Sequence, residues 1–287
     1  MMHALIFLLS AACGLVHAAG TITCTGIEDS PAVQAALNAG GITTLQGVCV
    51  SANTITITQP GGMGNQNGET VLQGGVLRIP SLVIDGVRRA EIRGTEFYTT
   101  GTGITIRNAI MVGMHGIYVA SGGHCLAFES IAGVWMTGKS HCNALPAAVN
   151  STGVMIGSSA QGFEAVDISG LLVEGYYSCV RIGGTGNNVN MWFRGLKCDR
   201  PGTFGIIVNP SSTAGARNIE FVDTWINCAP YPFAINVAET TGRADRIHFN
   251  IATVLGAQYA LPTVWGDQAR VTATFANTVT GPCEAGT

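Results

Sequence analysis

The sequence predicts an all-β fold, a single-stranded right-handed parallel β-helix, and three observations carry that expectation. First, nine apolar pairs recur, at Ile55/Ile57, Leu77/Ile79, Ile104/Ile106, Leu126/Phe128, Val154/Ile156, Val180/Ile182, Ile206/Val208, Ile235/Val237 and Leu261/Thr263, spaced by 22 to 29 residues. That spacing is the length of one solenoid coil. Second, the single residue inside each pair is chemically mixed (Thr56, Arg78, Thr105, Ala127, Met155, Arg181, Ile207, Asn236, Pro262), so the alternation has period two and describes strands with one buried face. Third, the residue before most pairs is small (Gly103, Cys125, Gly153, Cys179, Gly205, Ala234, Ala260), as a tight corner feeding each strand requires.

The elements follow in chain order. Residues 1–18 read as a cleaved export signal: an apolar run, Ala4 to Leu9, precedes small residues, and Val16-His17-Ala18 offers the small-x-small pattern of a cleavage site. Residues 19–54 form an N-terminal cap. Within it, Asp29 to Gly41 predicts a short helix over Pro31 to Ala39, with Ser30 as N-cap, Val33, Ala36 and Leu37 on one face, and Gly40 ending it. Such a helix covers the open end of the first coil. Residues 55–287 form the β-helix. A second ladder supports it: Val189, Met191 and Phe193 align with Ile219 and Phe221, then with Ile247, Phe249 and Ile251, then with Val271, Ala273 and Phe275. No segment after Leu37 shows sustained helical periodicity, which disfavours helix-bearing repeats. A β-sandwich is the competing architecture, but it expects turn signals every ~8–12 residues and needs no column of small corner residues.

Composition excludes several functions. Charged residues make up 11% of the chain and the net charge is −3, so there is no basic nucleic-acid surface. Beyond the signal no apolar run approaches the ~20 residues of a membrane span. Of nine cysteines, Cys13 leaves with the signal, and the remaining even number suits disulfides in an exported chain. The second-ladder alignment sets Cys198 and Cys228 on neighbouring coils, about 4.8 Å apart at Cα, within disulfide range. Cys24 and Cys49 bracket the cap. Buried free thiols are the alternative for the coil cysteines. No spacing of Cys and His suggests zinc, and neither metal nor cofactor is expected.

The run DSPAVQAALNAGGITTL, followed by Gly47-Val48-Cys49-Val50 and Ile55-Thr56-Ile57, resembles the opening of the pectate-lyase (pectin-lyase-like) superfamily of right-handed β-helix proteins. The resemblance is specific over about Cys24 to Ile57 and architectural beyond. It implies contact with polysaccharide, as in secreted lyases, hydrolases and epimerases, or with cell-surface glycan, as in phage tail spikes, where homotrimers are common. The catalytic motifs of the polygalacturonase-type hydrolases do not carry over: there is no adjacent Asp pair, Gly123-His124-Cys125 stands for Gly-His-Gly, and Arg181-Ile182-Gly183 stands for the basic motif. No Asp/Glu cluster suits a calcium-dependent lyase either.

The residues themselves offer two candidate constellations. In the second ladder the outward positions Asn190, Glu220 and His248 are expected to stack on consecutive coils, placing a carboxylate beside an imidazole that can do acid/base work. Arg194 lies on the same outward face, and Asp223 falls in an apolar column where burial would raise its pKa unless it marks a bend. Asp167 belongs one coil earlier, with a register ambiguous by one residue. Glu220, His248 and Asp223 are thus the catalytic candidates, and Asn190, Arg194 and Asp167 the substrate-binding ones. The second constellation is a ridge at the following corner, Glu174-Gly175-Tyr176-Tyr177, Lys197-Cys198-Asp199-Arg200 and Tyr231-Pro232-Phe233, where Tyr176, Tyr177 and Tyr231 supply flat faces for a sugar. His115, His124 and His141 receive no role. Three functions compete: an exported carbohydrate-active enzyme (lyase or glycoside hydrolase), a non-catalytic glycan-binding tail spike or adhesin, and a structural solenoid. The signal favours a secreted or periplasmic protein over a virion tail part.

Overall fold

The computed structural model describes residues 20–62, 64–65, 68–157, 165–184, 188–210, 215–228, 235–237, 243–257, 264–265 and 271–280. The expected signal over residues 1–18, Ala234, Tyr231, Ala260 and the pair Leu261/Thr263 lie outside them. Among the described residues, twenty-five parallel strands and one helix build a solenoid with three strand ladders, and Gly215–Asn227 runs unbroken through the second and third of them. The first ladder runs Ile55, Leu82, Ile104, Leu126, Val154, Val180, Ile206, Ile235 and Val264. Its eight steps of about 4.8 Å make a stack about 40 Å long.

Two rungs differ from the sequence expectation. Leu77 and Ile79 belong to the third ladder, where Leu77 lies between Cys49 and Phe97, and the first-ladder pair of that coil is Leu82/Ile84. The cause is that Val76–Ile79 and Leu82–Asp85 are consecutive strands with the same inward alternation, so periodicity alone cannot assign either to a ladder. The last rung is Val264, paired with Ile235.

The second ladder stacks Leu72, Ile92, Met114, Met136, Ile168, Phe193, Phe221, Phe249 and Ala273. Its aromatic segment is continuous: the Phe193 and Phe221 rings lie 4.5 Å apart at 6°, and Phe221 and Phe249 lie 5.1 Å apart at 16°. Between first and second strands the chain turns on one left-handed residue per coil, Asn108, Ser130, Asn190, Asn218 and Arg246, with φ of 51 to 58°. Asparagine tolerates that region because its short side chain bonds locally. Between second and third strands the column is Gly94, Gly116, Gly138, Gly170 and Gly195, and then Asp223 at φ 52°. Asp223 is therefore an exposed corner residue in a glycine column, not an acid in an apolar one; the expected alignment with Phe193 and Ile251 slips because the strand bulges between Phe221 and Thr224.

The helix spans Ser30–Ala39, buries Val33 and Leu37, and ends at Gly40 with φ 76°. Its N-cap is Asp29 rather than Ser30, and the Asp29 carboxylate makes no cap bond. It accepts instead from Thr25 N (2.9 Å) and Oγ1 (2.7 Å), Gly26 N (3.2 Å) and Val50 N (3.0 Å). These donors, the Thr25 amide first, hold its pKa at about 2. Gln34 closes the exposed edge of the first rung, accepting from Thr56 N (2.9 Å) and donating to Thr56 O (2.6 Å). Cys24 and Cys49 are bonded, joining the cap to the third ladder.

Two further disulfides, Cys125–Cys142 and Cys179–Cys198, each cross one coil from its first corner to its third strand, with Cα separations of 5.8 and 5.7 Å. The expected Cys198–Cys228 pairing is thereby excluded. Cys198 stands opposite Ile226, and Cys228 follows Asn227 as a left-handed corner residue, φ 60°. Coils without a disulfide solve the same cross-section differently. A Cβ on Gly103 would overlap Val119, and one on Gly153 would overlap Val173, so a valine fills the space that bare glycine leaves.

Candidate functional site: a cleft beside an ion-pair cluster

The outward side chains of the third ladder converge over four coils. Asn143, Glu174, Asp199 and Asn227 stand opposite one another in register, with His141 two residues before Asn143. Arg200, at the corner with φ 49°, reaches back over two of them. Its Nη2 pairs with Glu174 Oε1, and its Nε donates to Asp199 Oδ2 at 3.1 Å. The Asp199 bond and the two negative charges raise the guanidinium above its usual pKa. His141 Nε2 lies 3.3 Å from Glu174 Oε2, and Asn227 Nδ2 donates to Asp199 Oδ1 at 2.6 Å. Tyr118 meets His141 edge-on at 5.2 Å and lies 5.7 Å from Tyr98. Trp225, 45% exposed, carries Lys197 Nζ 5.8 Å from its ring centre.

A cleft of about 430 Å³, open to solvent, is lined in part by Ala144 and Gly175, the residues that directly follow Asn143 and Glu174 of this cluster. Leu145, Pro146, Val149 and Asn150 line one part of it and the Tyr177 ring another, while Gly175 and Gly202 contribute no bulk. Tyr177 is 41% exposed. The corner at Gly175, φ 75°, sends the next two side chains to opposite sides. Tyr176 is therefore fully buried, not part of an outer ridge: its hydroxyl bonds Ser121 Oγ at 2.7 Å and donates to Asn143 O at 3.0 Å, and burial pushes its pKa up to about 12. Of the expected ridge, Glu174, Tyr177, Lys197, Asp199 and Arg200 do share one surface. His141, passed over in the sequence, joins them because it lies in a ladder that the two-ladder alignment did not contain.

The second-ladder face holds the other candidates. Glu220 and His248 are direct neighbours in register, and His248 Nδ1 bonds Thr272 Oγ1 at 2.6 Å. Asn190 does not stack on Glu220: it sits opposite Asn218, whose Nδ2 donates to it at 3.1 Å, and Trp192 takes the place beside Glu220. The slip is two residues, caused by the left-handed bend at Asn190. Asp167 faces outward opposite Trp192 and is ion-paired with Arg194, whose Nη1 reaches both carboxylate oxygens at 2.9 and 2.8 Å. Asp223 is one corner away from Glu220, across Phe221 and Val222. Among the described residues no group of three or more His, Cys, Asp or Glu side chains could hold a metal ion.

No protein-family model matches the sequence, and no curated protein matches it. Structural similarity is found. The crystal structure of endo-xylogalacturonan hydrolase from Aspergillus tubingensis superposes with a TM-score of 0.51 and 11% identity, over 91% of this chain and 85% of that chain. The A-module of Azotobacter vinelandii mannuronan C-5 epimerase AlgE4 aligns over 92% of this chain and 94% of that chain at 12% identity, with a TM-score of 0.36. The fold is the pectin-lyase-like right-handed parallel β-helix. The three disulfides found among the described residues suit an oxidising compartment outside the cytoplasm, and no helix among those residues is long and apolar enough to cross a membrane.

Proposed function

We propose that the protein is an exported polysaccharide-binding β-helix whose glycan seats in the Tyr177 cleft, with Glu174, His141 and Arg200 at its edge. The observation that carries this reading is the contiguity of a concave surface, an exposed ring and a cluster of charged hydrogen-bonding groups. A pyranose presents an apolar face and a rim of hydroxyls, which such a surface complements. Arg200 bridges Glu174 and Asp199, an arrangement suited to holding groups in place rather than to shuttling protons. Fold likeness to an endo-xylogalacturonan hydrolase supports polysaccharide as the ligand class without naming a reaction.

The test is titration calorimetry of the purified protein with polygalacturonate, alginate and hydroxyethylcellulose, repeated with Tyr177→Ala. Binding of at least one chain, weakened about tenfold or more by the variant, is expected. Binding untouched by Tyr177→Ala would remove the cleft. The same samples are assayed for new reducing ends and unsaturated products. Cleavage that falls about 10²–10⁴-fold in Glu220→Gln or His248→Ala would replace the binder with an enzyme acting through that pair.

A further inference from the structure

The outer column of the second ladder reads, coil by coil, Glu91, Gly113, Trp135, Asp167, Trp192, Glu220 and His248. From Trp135 onward, indole and carboxylate alternate. The Trp135 ring lies across the bare backbone of the preceding coil, because a Cβ on Gly113 would come within 2.8 Å of its Nε1 and 2.9 Å of its Cε2. Glycine at this place in a strand costs stability and is explained by the ring that occupies its space. Both indoles are half-buried, so each is fixed while keeping part of its surface in water. They stand two coils apart, about 9.6 Å along the solenoid axis.

The charges along this column differ from those at the cleft. Arg194 holds Asp167 through Nη1 alone. Glu220 has no ion-pair or hydrogen-bond partner among the described residues, and the column beyond it offers only the imidazole of His248. A polyanion laid along this column would meet Glu220 and Asp167. A neutral sugar chain would instead donate hydroxyl hydrogens to both carboxylates while its ring faces cover the indoles.

We infer that this column is a second carbohydrate-binding surface, a track parallel to the solenoid axis that takes a neutral, hydroxyl-rich polysaccharide chain. It rests on the reading of the protein as a glycan binder but not on the cleft. Two platforms two coils apart require a chain spanning both; a single sugar unit engages one. Trp135 and Trp192 are the stacking residues, Asp167 and Glu220 the hydroxyl acceptors, and Gly113 positions Trp135.

The experiment is calorimetric titration of the full chain with hydroxyethylcellulose and polygalacturonate, using wild type, Trp135→Ala, Trp192→Ala, Glu220→Gln, Gly113→Ala and Tyr177→Ala, each checked for a native melting transition. Each tryptophan variant is expected to weaken hydroxyethylcellulose binding about tenfold, with the pair together abolishing it. Gly113→Ala, which lifts the Trp135 ring without touching ligand, and Glu220→Gln should give smaller losses. Glucose and cellobiose should bind far more weakly than the polymer. Unchanged hydroxyethylcellulose binding in both Trp192→Ala and Glu220→Gln overturns the track even if Trp135→Ala fails to fold, as does a preference for polygalacturonate that Trp192→Ala removes. Losses confined to Tyr177→Ala uphold the cleft and sink the track; losses confined to the tryptophans do the reverse; no binding to either chain sinks both.

Discussion

The second- and third-ladder faces are built on the same coils yet are held in different ways. Behind the third-ladder face, Cys142 and Cys198 tie the strands that carry His141, Asn143, Lys197 and Asp199 to the opposite corner of their coils. Its carboxylates are closed within the face, Glu174 by Arg200 with His141 beside it and Asp199 by Arg200 and Asn227, while Lys197 lies over Trp225. Behind the second-ladder face no disulfide is found among the described residues; the support is the stack Phe193, Phe221 and Phe249. Its outward groups are less saturated. A polar face can thus be polar to hold itself together or polar to receive something else, and the partners of each charge separate the two.

The largest effect should come from the aromatic stack. Phe221 is fully buried between two rings, and Phe221→Ala removes contacts on both sides. A loss of about 3–5 kcal/mol is expected in denaturant unfolding. If the two faces are supported separately, hydrogen exchange will rise first in the second-ladder strands around Trp192 and Glu220. Uniform exchange across both ladders would erase the distinction.

Next comes the disulfide behind the cleft. Cys179 and Cys198 stand 19 positions apart and close a loop that contains the whole second-ladder strand Asn188–Arg194, so the double alanine variant should lose about 3 kcal/mol. Cleft binding should weaken before the protein unfolds, because Asp199 and Arg200 directly follow Cys198. Retention of full affinity for the cleft ligand would show that the covalent tie does not set the geometry of that face.

How much of this could be read in the sequence depended on what one dimension contains. Inward positions such as Ile104, Val154 and Phe249 were legible because period-two alternation survives without knowing the coil's shape. Leu77 was assigned to the wrong ladder because consecutive strands share that period. Cys198 was paired with Cys228 because the ladder reports neighbours along the axis, whereas the actual bond crosses the section of a single coil, a dimension that spacing does not encode. The Glu220–His248 adjacency came through, since both follow a left-handed corner at the same offset, Asn218 and Arg246. Asn190 was misplaced because it is itself the left-handed bend, which leaves Trp192 as the residue beside Glu220. Tyr176 and Tyr177 could not be sorted into inside and outside without the φ of Gly175.

The third-ladder face is also anchored at its start, where Asp29 accepts from the Val50 amide. The Asp29 pKa of about 2 lies below the ordinary 3.8. Its stabilisation is therefore complete above about pH 4 and is lost as pH falls through the folded-state value near 2. Asp29→Asn should flatten the acid limb of a melting-temperature profile between about pH 4 and 2. A wild-type limb that the variant leaves unchanged would assign acid sensitivity elsewhere. His124 is the first alternative, since burial lowers its pKa below the usual 6.5 and its Nδ1 accepts from Thr152 N at 2.9 Å, a bond lost on protonation at the onset of acid.

The smallest effects test the comparison most directly. Arg200 and Glu174 are half-exposed and partly exposed, so their pair is screened, and Arg200→Ala should cost about 1 kcal/mol or less, declining with added salt. A double-mutant cycle on Glu174 and Arg200 should return a coupling of about 0.5–1 kcal/mol, because one guanidinium joins two carboxylates. The same cycle on Glu220 and His248 should return a coupling near zero at neutral pH, since His248 is held by Thr272 rather than by the acid. Equal couplings would mean that both faces are self-satisfied and that the second-ladder face is not left open for a ligand.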